Sequence, residues 1–309
     1  MKLSIVATLY NSAPHIEEFH RHSSAAACKL VDEDYEIVLV NDGSPDNSLE
    51  LAIRITEKDP HVILVDLSRN FGHHKAMMTG LAHARGERVF LIDSDLEENP
   101  EWVLSFSKQM VRDQCDVVYG VQEKRKGGLF ERWFGRWFYM LFRVMTGLTL
   151  PENIVTARLM SRRYVNALLK HDEREIFMAG LWYITGFDQL PQTVKKADSS
   201  KTTYTLRRKL SIIVNAITSF SNAPLIAVFY IGITISLIAG AYTAYLIFFW
   251  LFISTPLSGW TSVMASIWLL SGMIISFIGV VGLYLSRIFM ETKIRPYTIV
   301  RQIYGKHEQ

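Results

Sequence analysis

The hydrophobic pattern of the chain falls into two regimes. Over the first 120 residues, short apolar runs rich in Val and Ile recur: LSIVATLY (3–10), YEIVLVND (35–42), VILVDLS (62–68), RVFLIDSD (88–95) and DVVYG (116–120). Runs of this length and composition read as strands. Segments with helical character separate them, near 13–30, 45–58, 73–85 and 100–113. In the last of these, Asn99–Pro100 supplies an N-cap and a first helical residue. Strand–helix alternation predicts an α/β fold, a mostly parallel sheet with helices on both faces. Ligands of such sheets bind at the carboxyl ends of the strands. Here those ends are polar: Tyr10–Asn11, Asn41–Asp42–Gly43–Ser44, Ser68–Arg69–Asn70 and Asp93–Ser94–Asp95.

The second regime runs from Leu210 to Ser286, where no charged residue occurs. A membrane span needs about 20 apolar residues. Two fit in this tract, Leu225–Ile253 and Ser262–Phe289, joined by STPLSGWT, in which Pro256 and Gly259 suit a turn. The pattern predicts a two-helix transmembrane hairpin. Its loop carries no Lys or Arg, whereas Arg207, Arg208 and Lys209 precede it and Arg287, Lys293, Arg295 and Arg301 follow. The positive-inside rule puts both flanks in the cytoplasm, hence the N-terminal region and both termini. Two cysteines, Cys28 and Cys115, make no disulfide framework and suit a reducing compartment. A net charge of +3 gives no reason to expect nucleic acid. Between the regimes, GGLFERWFGRWFYMLFRVMTG (127–147) interleaves Arg132, Arg136 and Arg143 with aromatic residues. That composition suits a helix lying in the headgroup layer. TLRRKLSIIVNAITSF (205–220) reads as a second such helix, leading into the first span.

Candidate chemistry narrows the picture. No G-x-G-x-x-G follows the first strand and no G-x-x-x-x-G-K-[ST] occurs, so a dinucleotide-binding domain and a P-loop are disfavoured. Asp93 and Asp95 bracket one residue, which in extended chain points both carboxylates to one side. Such a pair can share a hard divalent cation, Mg²⁺ or Mn²⁺, that also bridges phosphates. A cation would explain why Asp93, Asp95, Glu97 and Glu98 crowd together. Asp42, in an NDGS turn, can accept hydrogen bonds from a base or ribose. His73 and His74 diverge by roughly 100° on a helix and cannot both line one site; they read as loop or cap residues. No Cys/His spacing suggests zinc. Trp182, Tyr183 and the Met pairs read as core.

The motifs SIVATLYN, VNDGSPDNS, LSRNFGHHKAMMTGL, IDSDLEENPE, SKTTYTLRRKL and SFSNAPL, with the two spans, resemble the inverting glycosyltransferase family 2 and its GT-A fold. Within it, the chain looks most like the polyprenyl-phosphate glycosyltransferases, the group of dolichol-phosphate mannose synthase and the bacterial undecaprenyl-phosphate glucosyltransferases. The resemblance covers nearly the whole chain. It implies a GT-A domain over 1–204, including an interfacial helix near 128–147, a juxtamembrane helix over 205–221, two spans within 222–290 (225–253 and 262–289) and a cytoplasmic tail over 291–309. Among residues, it implies that Tyr10, Asn11, Asp42, Gly43, Ser44, Arg69, Asp93 and Lys201 bind the donor. Arg125, Arg136, Arg207 and Arg208 would meet the acceptor phosphate, and Arg125 and Arg158 would join Asp93 and Asp95 in catalysis. Asp95 would be the direct metal ligand, with Asp93 and with Glu97, which replaces a usual Gln. Two further departures are Ser12, where relatives carry Glu, and Thr156, where relatives carry an Asp proposed as a base.

The resemblance therefore implies a metal-dependent hexosyl- or N-acetylhexosaminyl-transferase. It would move a sugar from a nucleotide donor, a uridine diphosphate ahead of a guanosine one, to undecaprenyl phosphate for cell-surface glycan of the O-antigen kind. Its place would be the bacterial inner membrane, multi-pass, and it is compatible with a homo-oligomer. The alternatives are an inactive scaffold of the same fold, for which Thr156 speaks, and a polysaccharide synthase, against which the missing Q-x-x-R-W segment speaks.

Overall fold

The computed structural model describes residues 1–122, 140, 143–147, 151, 153–171, 173, 176–197, 217–218, 220–252 and 259–305. The predicted apolar runs form strands β1 (Leu3–Leu9), β2 (Tyr35–Asn41), β3 (Val62–Leu67) and β4 (Arg88–Leu91). They pair in parallel in the order β4-β1-β2-β3. Every residue of β1, β2 and β3 is buried, as expected of a parallel sheet covered on both faces. The helices are α1 (Ile16–Val31), α2 (Ser48–Lys58), α3 (His73–His83) and α4 (Trp102–Asp113). Because side chains alternate along a strand, Leu3, Ile5, Ala7 and Leu9 face one side and share a core with Phe19, Ala52, Val103 and Phe106 from α1, α2 and α4. Val6 faces the other side, where α3 approaches so closely that a Cβ on Gly80 would lie 2.5 Å from its Cγ1. Each fully buried Leu, Ile, Val or Phe contributes about 1.5–3 kcal/mol.

Four more strands complete the sheet: β5 (Val117–Gln122), β6 (Ile154–Ser161), β7 (Gln189–Val194) and β8 (Val300–Tyr304), in the order β7-β5-β6-β4-β1-β2-β3-β8. Strand β6 runs antiparallel to both β4 and β5, and β8 antiparallel to β3. The sheet is thus mostly parallel, as expected, with β6 and β8 as its two antiparallel members. The predicted run DVVYG begins β5, whereas β7 and β8 lack the Val/Ile-rich runs of the centre because they are only partly buried. Short helices α5 (Arg162–Leu168) and α6 (Met178–Ile184) accompany them.

The chain divides into two units, one of Met1–Tyr139, Thr149–Tyr204 and Arg295–Gln309, the other of Met140–Leu148 and Thr205–Ile294. Within the stretch expected to be a cytoplasmic tail, Val300–Tyr304 joins the sheet: β8 pairs with β3 because the edge of β3 offers unpaired backbone groups. The second unit holds α7 (Ala223–Phe252) and α8 (Trp260–Thr292). Among the described residues one stretch, Leu269–Thr292 in α8, is long and apolar enough to cross a membrane; Ala223–Ala239 is a shorter apolar helix. Most of the expected interfacial segments, with Arg125, Arg136, Lys201, Arg207 and Arg208, lie outside the described residues.

Candidate functional site

The strand register brings the polar ends together. Leu9 pairs with Asn41, and Asn41 with Asp66, so the loops after β1, β2 and β3 emerge side by side. Just past β4, Ile92 N donates to Val6 O at 3.0 Å and keeps the following residues beside β1. A pocket results, lined by Thr8, Tyr10, Asn11, Ser12, His15, His73, Asp93, Ser94 and Asp95.

On the β1–β3 side the loops lock one another. Asn11 takes a left-handed φ of 54°, costly for a non-glycine residue, and its N–H donates to Ser44 Oγ at 2.8 Å. Ser44 Oγ and Ser48 Oγ both donate to Asp46 Oδ1 at 2.5 Å, and Ala13 N donates to Asp46 Oδ2 at 3.0 Å. Burial opposes the charge on Asp46, but these donors outweigh it and hold the carboxyl at about 2. The buried Asp42 accepts from Phe71 N at 2.7 Å and Gly72 N at 3.0 Å, which pins the loop after β3. Burial still raises its pKa, against those bonds. Each carboxylate oxygen keeps a second lone pair, so Asp42 retains capacity for a ligand donor. Gly43 has a φ of 58°, and a Cβ there would sit 2.4 Å from Asn70 N, so the two loops touch only because no side chain intervenes. The exposed Arg69 donates to Asn70 O and lies over the Phe71 ring at 4.2 Å.

The β4 side is organised by charge. Asp93 Oδ2 accepts from Thr156 Oγ1 at 2.8 Å, and its Oδ1 lies 3.3 Å from His73 Nε2. His73 Nδ1 in turn meets Thr8 Oγ1 at 2.9 Å. Burial opposes ionisation of Asp93, yet the His73 contact keeps it below the ordinary carboxylate range. His74 turns away to Ile176 O at 3.1 Å, the divergence expected of neighbours on a helix. Asp95 is exposed at the pocket rim; desolvation, together with the charges of Asp93 and Glu97, raises its pKa. Ser12 and Ser94, 3.0 Å apart through their hydroxyls, form the floor. Asp93 Oδ1 is buried and meets His73 Nε2 at ion-pair distance without a well-formed hydrogen bond, which leaves it able to share a cation with Asp95.

The expected third ligand does not join this pair. Lys196 Nζ lies 3.4 Å from Glu97 Oε2 and 3.2 Å from Glu98 Oε1, so the charge of Glu97 is answered from within. Among the described residues no three His, Cys, Asp or Glu groups are placed to hold a metal. Glu98, which the sequence did not single out, is fully buried. Burial and the charge of Asp93 push its carboxyl up to about 7, and its Oε1 accepts from Thr156 N at 3.0 Å. Thr156 thus ties two carboxylates together. Arg158 is placed elsewhere than expected. It lines a neighbouring aromatic pocket with Tyr119, Trp182 and Phe187, 3.0 Å over the Trp182 ring, and burial lowers its pKa to about 9.

Residues 4–169 match the family model described as "Glycosyl transferase family 2". A Mycobacterium tuberculosis (strain CDC 1551 / Oshkosh) chain whose name places it with the glycosyltransferases is 49% identical over 99% of this chain and 89% of its own. The bactoprenol glucosyl transferase of Shigella phage SfV is 32% identical over 97% of this chain and 98% of its own. Of solved structures, Staphylococcus aureus TarS 1-349 in complex with UDP-GlcNAc overlays with a TM-score of 0.49 at 18% identity, covering 71% of this chain and 66% of that one.

Proposed function

The chain belongs to glycosyl transferase family 2, and from that premise we propose that it moves a hexosyl or N-acetylhexosaminyl group from a nucleotide sugar, a uridine diphosphate sugar foremost, to a polyprenyl phosphate at the cytoplasmic face of a bacterial membrane. The observation that carries the reading is the match to the bactoprenol glucosyl transferase along almost the entire length of both chains, apolar helices included. The acceptor chemistry of that relative is thereby proposed for this one, in the service of cell-surface glycan.

Tyr10, Asn11, Asp42, Gly43, Ser44 and Arg69 form the donor rim. Asp93 and Asp95 would hold Mg²⁺ or Mn²⁺, which when bound neutralises charge on a leaving diphosphate. The acceptor oxygen belongs to a phosphate monoester, whose second pKa is near 6 by analogy with protein phosphomonoesters, so it is mostly a dianion at neutral pH. Proton removal contributes little, and positioning with charge stabilisation carries the step. Thr156, a hydroxyl already donated to Asp93, then serves without acting as a base. Arg125, Arg136, Lys201, Arg207 and Arg208 are proposed to receive the two phosphate groups.

A hairpin in the membrane agrees with the sheet. Strands β7 and β8, on either side of the apolar unit in sequence, belong to one sheet, and a folded sheet does not straddle a bilayer. The chain between them crosses an even number of times. If α8 provides one crossing, α7, 30 residues without a charge, provides the other. The test is incubation of membranes carrying the protein with a panel of nucleotide sugars and undecaprenyl phosphate, with mass spectrometry of the lipid. A glycosyl-phospholipid that needs the added divalent cation supports the reading; hydrolysis alone, or no lipid product from any donor, rejects it.

A further inference from the structure

The donor rim is clamped from two sides. Asp42 holds its far end, through Phe71 N and Gly72 N. The near end is held by the C-terminal strand, which follows the apolar unit in sequence. Ser68 N donates to Ile299 O at 2.9 Å, and Arg301 Nη2 donates to Ser68 O at 2.6 Å. Both backbone groups of the first loop residue are thus bound by residues of β8 or its lead-in. Pairing of β3 with β8 shifts register between Asp66 and Leu67, the irregularity that lets Arg301 reach past the strand end.

Arg301 also faces Asp66. Its Nη1 lies 3.5 Å from Asp66 Oδ2, an oxygen that is buried and without a hydrogen bond. The other oxygen, Oδ1, accepts from Asn41 Nδ2 at 2.8 Å, and Asn41 Oδ1 accepts from Ser44 N at 3.3 Å. A chain of polar contacts therefore runs Arg301–Asp66–Asn41–Ser44 along the carboxyl edge, ending on the serine that fixes Asn11. Guanidinium geometry suits the double task, one nitrogen for a carbonyl and one for a carboxylate, which a single ammonium meets less well.

We propose that Arg301 is a positioning residue for donor binding, acting through Ser68 and Asp66 on the loop 68–72, so that the strand after the apolar helices completes the nucleotide side of the pocket. This rests on the proposed donor chemistry. The test uses the full chain in detergent, as wild type, Arg301→Gln and Arg301→Lys, with two readouts: amide hydrogen exchange over residues 66–72, and binding of UDP with Mn²⁺. Arg301→Gln is expected to speed exchange at Ser68–Gly72 and weaken UDP binding about tenfold, with Arg301→Lys between it and wild type. Unchanged exchange, unchanged UDP affinity, or equal behaviour of the Gln and Lys variants overturns the positioning role. A wild-type chain that does not bind UDP while exchange responds refutes instead the donor reading of the pocket. Should Arg301→Gln fail to fold, Asp66→Asn, which keeps the bond to Asn41 and removes the charge that draws Arg301, is read in the same way.

Discussion

Two sets of carboxylates at one sheet edge are used in opposite ways. After β2, Asp42 and Asp46 are satisfied by backbone and hydroxyl donors, and their charge is spent on holding loops in place. After β4, Asp93, Asp95, Glu97 and Glu98 crowd one another, and among the described residues Lys196, His73 and Thr156 meet them. A carboxylate ringed by N–H and O–H donors builds shape. A group of carboxylates short of positive partners holds unfavourable charge that a cation relieves. The difference teaches which acidic residues to regard as scaffold and which as chemistry, though all are the same two residue types within one site.

The largest break in that contrast should come from Asp95→Asn. On the cation reading, transfer falls about 10²–10³-fold, since the leaving diphosphate loses neutralisation. A variant keeping more than a tenth of wild-type turnover at saturating Mg²⁺ or Mn²⁺ would remove Asp95 from the metal site. Next is Lys196→Met, which strands the buried Glu98 and should destabilise the fold by roughly 2–4 kcal/mol in denaturant unfolding. Adding Glu98→Gln should restore most of that loss, and failure to do so would show that lysine does not compensate the cluster. Thr156→Ala should keep activity within about tenfold, because it loosens Asp93 without removing a base. A folded, donor-binding but dead Thr156→Ala chain would make the hydroxyl a direct participant.

The smallest effect belongs to the scaffold side. The Asp46 carboxyl sits at about 2 against an ordinary 3.8. Its folded pKa is depressed, so its contribution is present above about pH 4 and lost as pH falls toward 2. Allowing for partial exposure, the stability gap between wild type and Asp46→Asn should shrink by about 1 kcal/mol between pH 5 and pH 2. A gap independent of pH would mean that Asp46 carries no net charge stabilisation.

Much of this architecture is legible in the sequence, for a physical reason. A strand buried on both faces must be apolar at nearly every position, so β1 to β4 announce themselves, and the polar residues that end them mark the ligand edge. Partly buried edge strands carry no such mark, and β7 and β8 escaped for that reason. The pair Asp93/Asp95 was visible because two carboxylates bracketing one residue are a local pattern. Glu98 and Lys196 were not: their significance is a distance of 3.2 Å between residues far apart in the chain, and burial alone makes it matter. The contact of Glu97 was hidden for the same cause, since local spacing cannot foresee a lysine brought in from the end of β7.

By itself, then, the sequence determined which central strands are buried and which strand ends carry carboxylates, because periodicity and composition are local consequences of solvent exclusion. Only the tertiary structure decided how charge is shared among those carboxylates, that Arg158 belongs to an aromatic pocket beside the site, and that residues 300–304 return to pair with β3. Each of these depends on contacts between residues far apart in the chain, and electrostatic and backbone partners at such separations leave no periodic trace in the residues themselves.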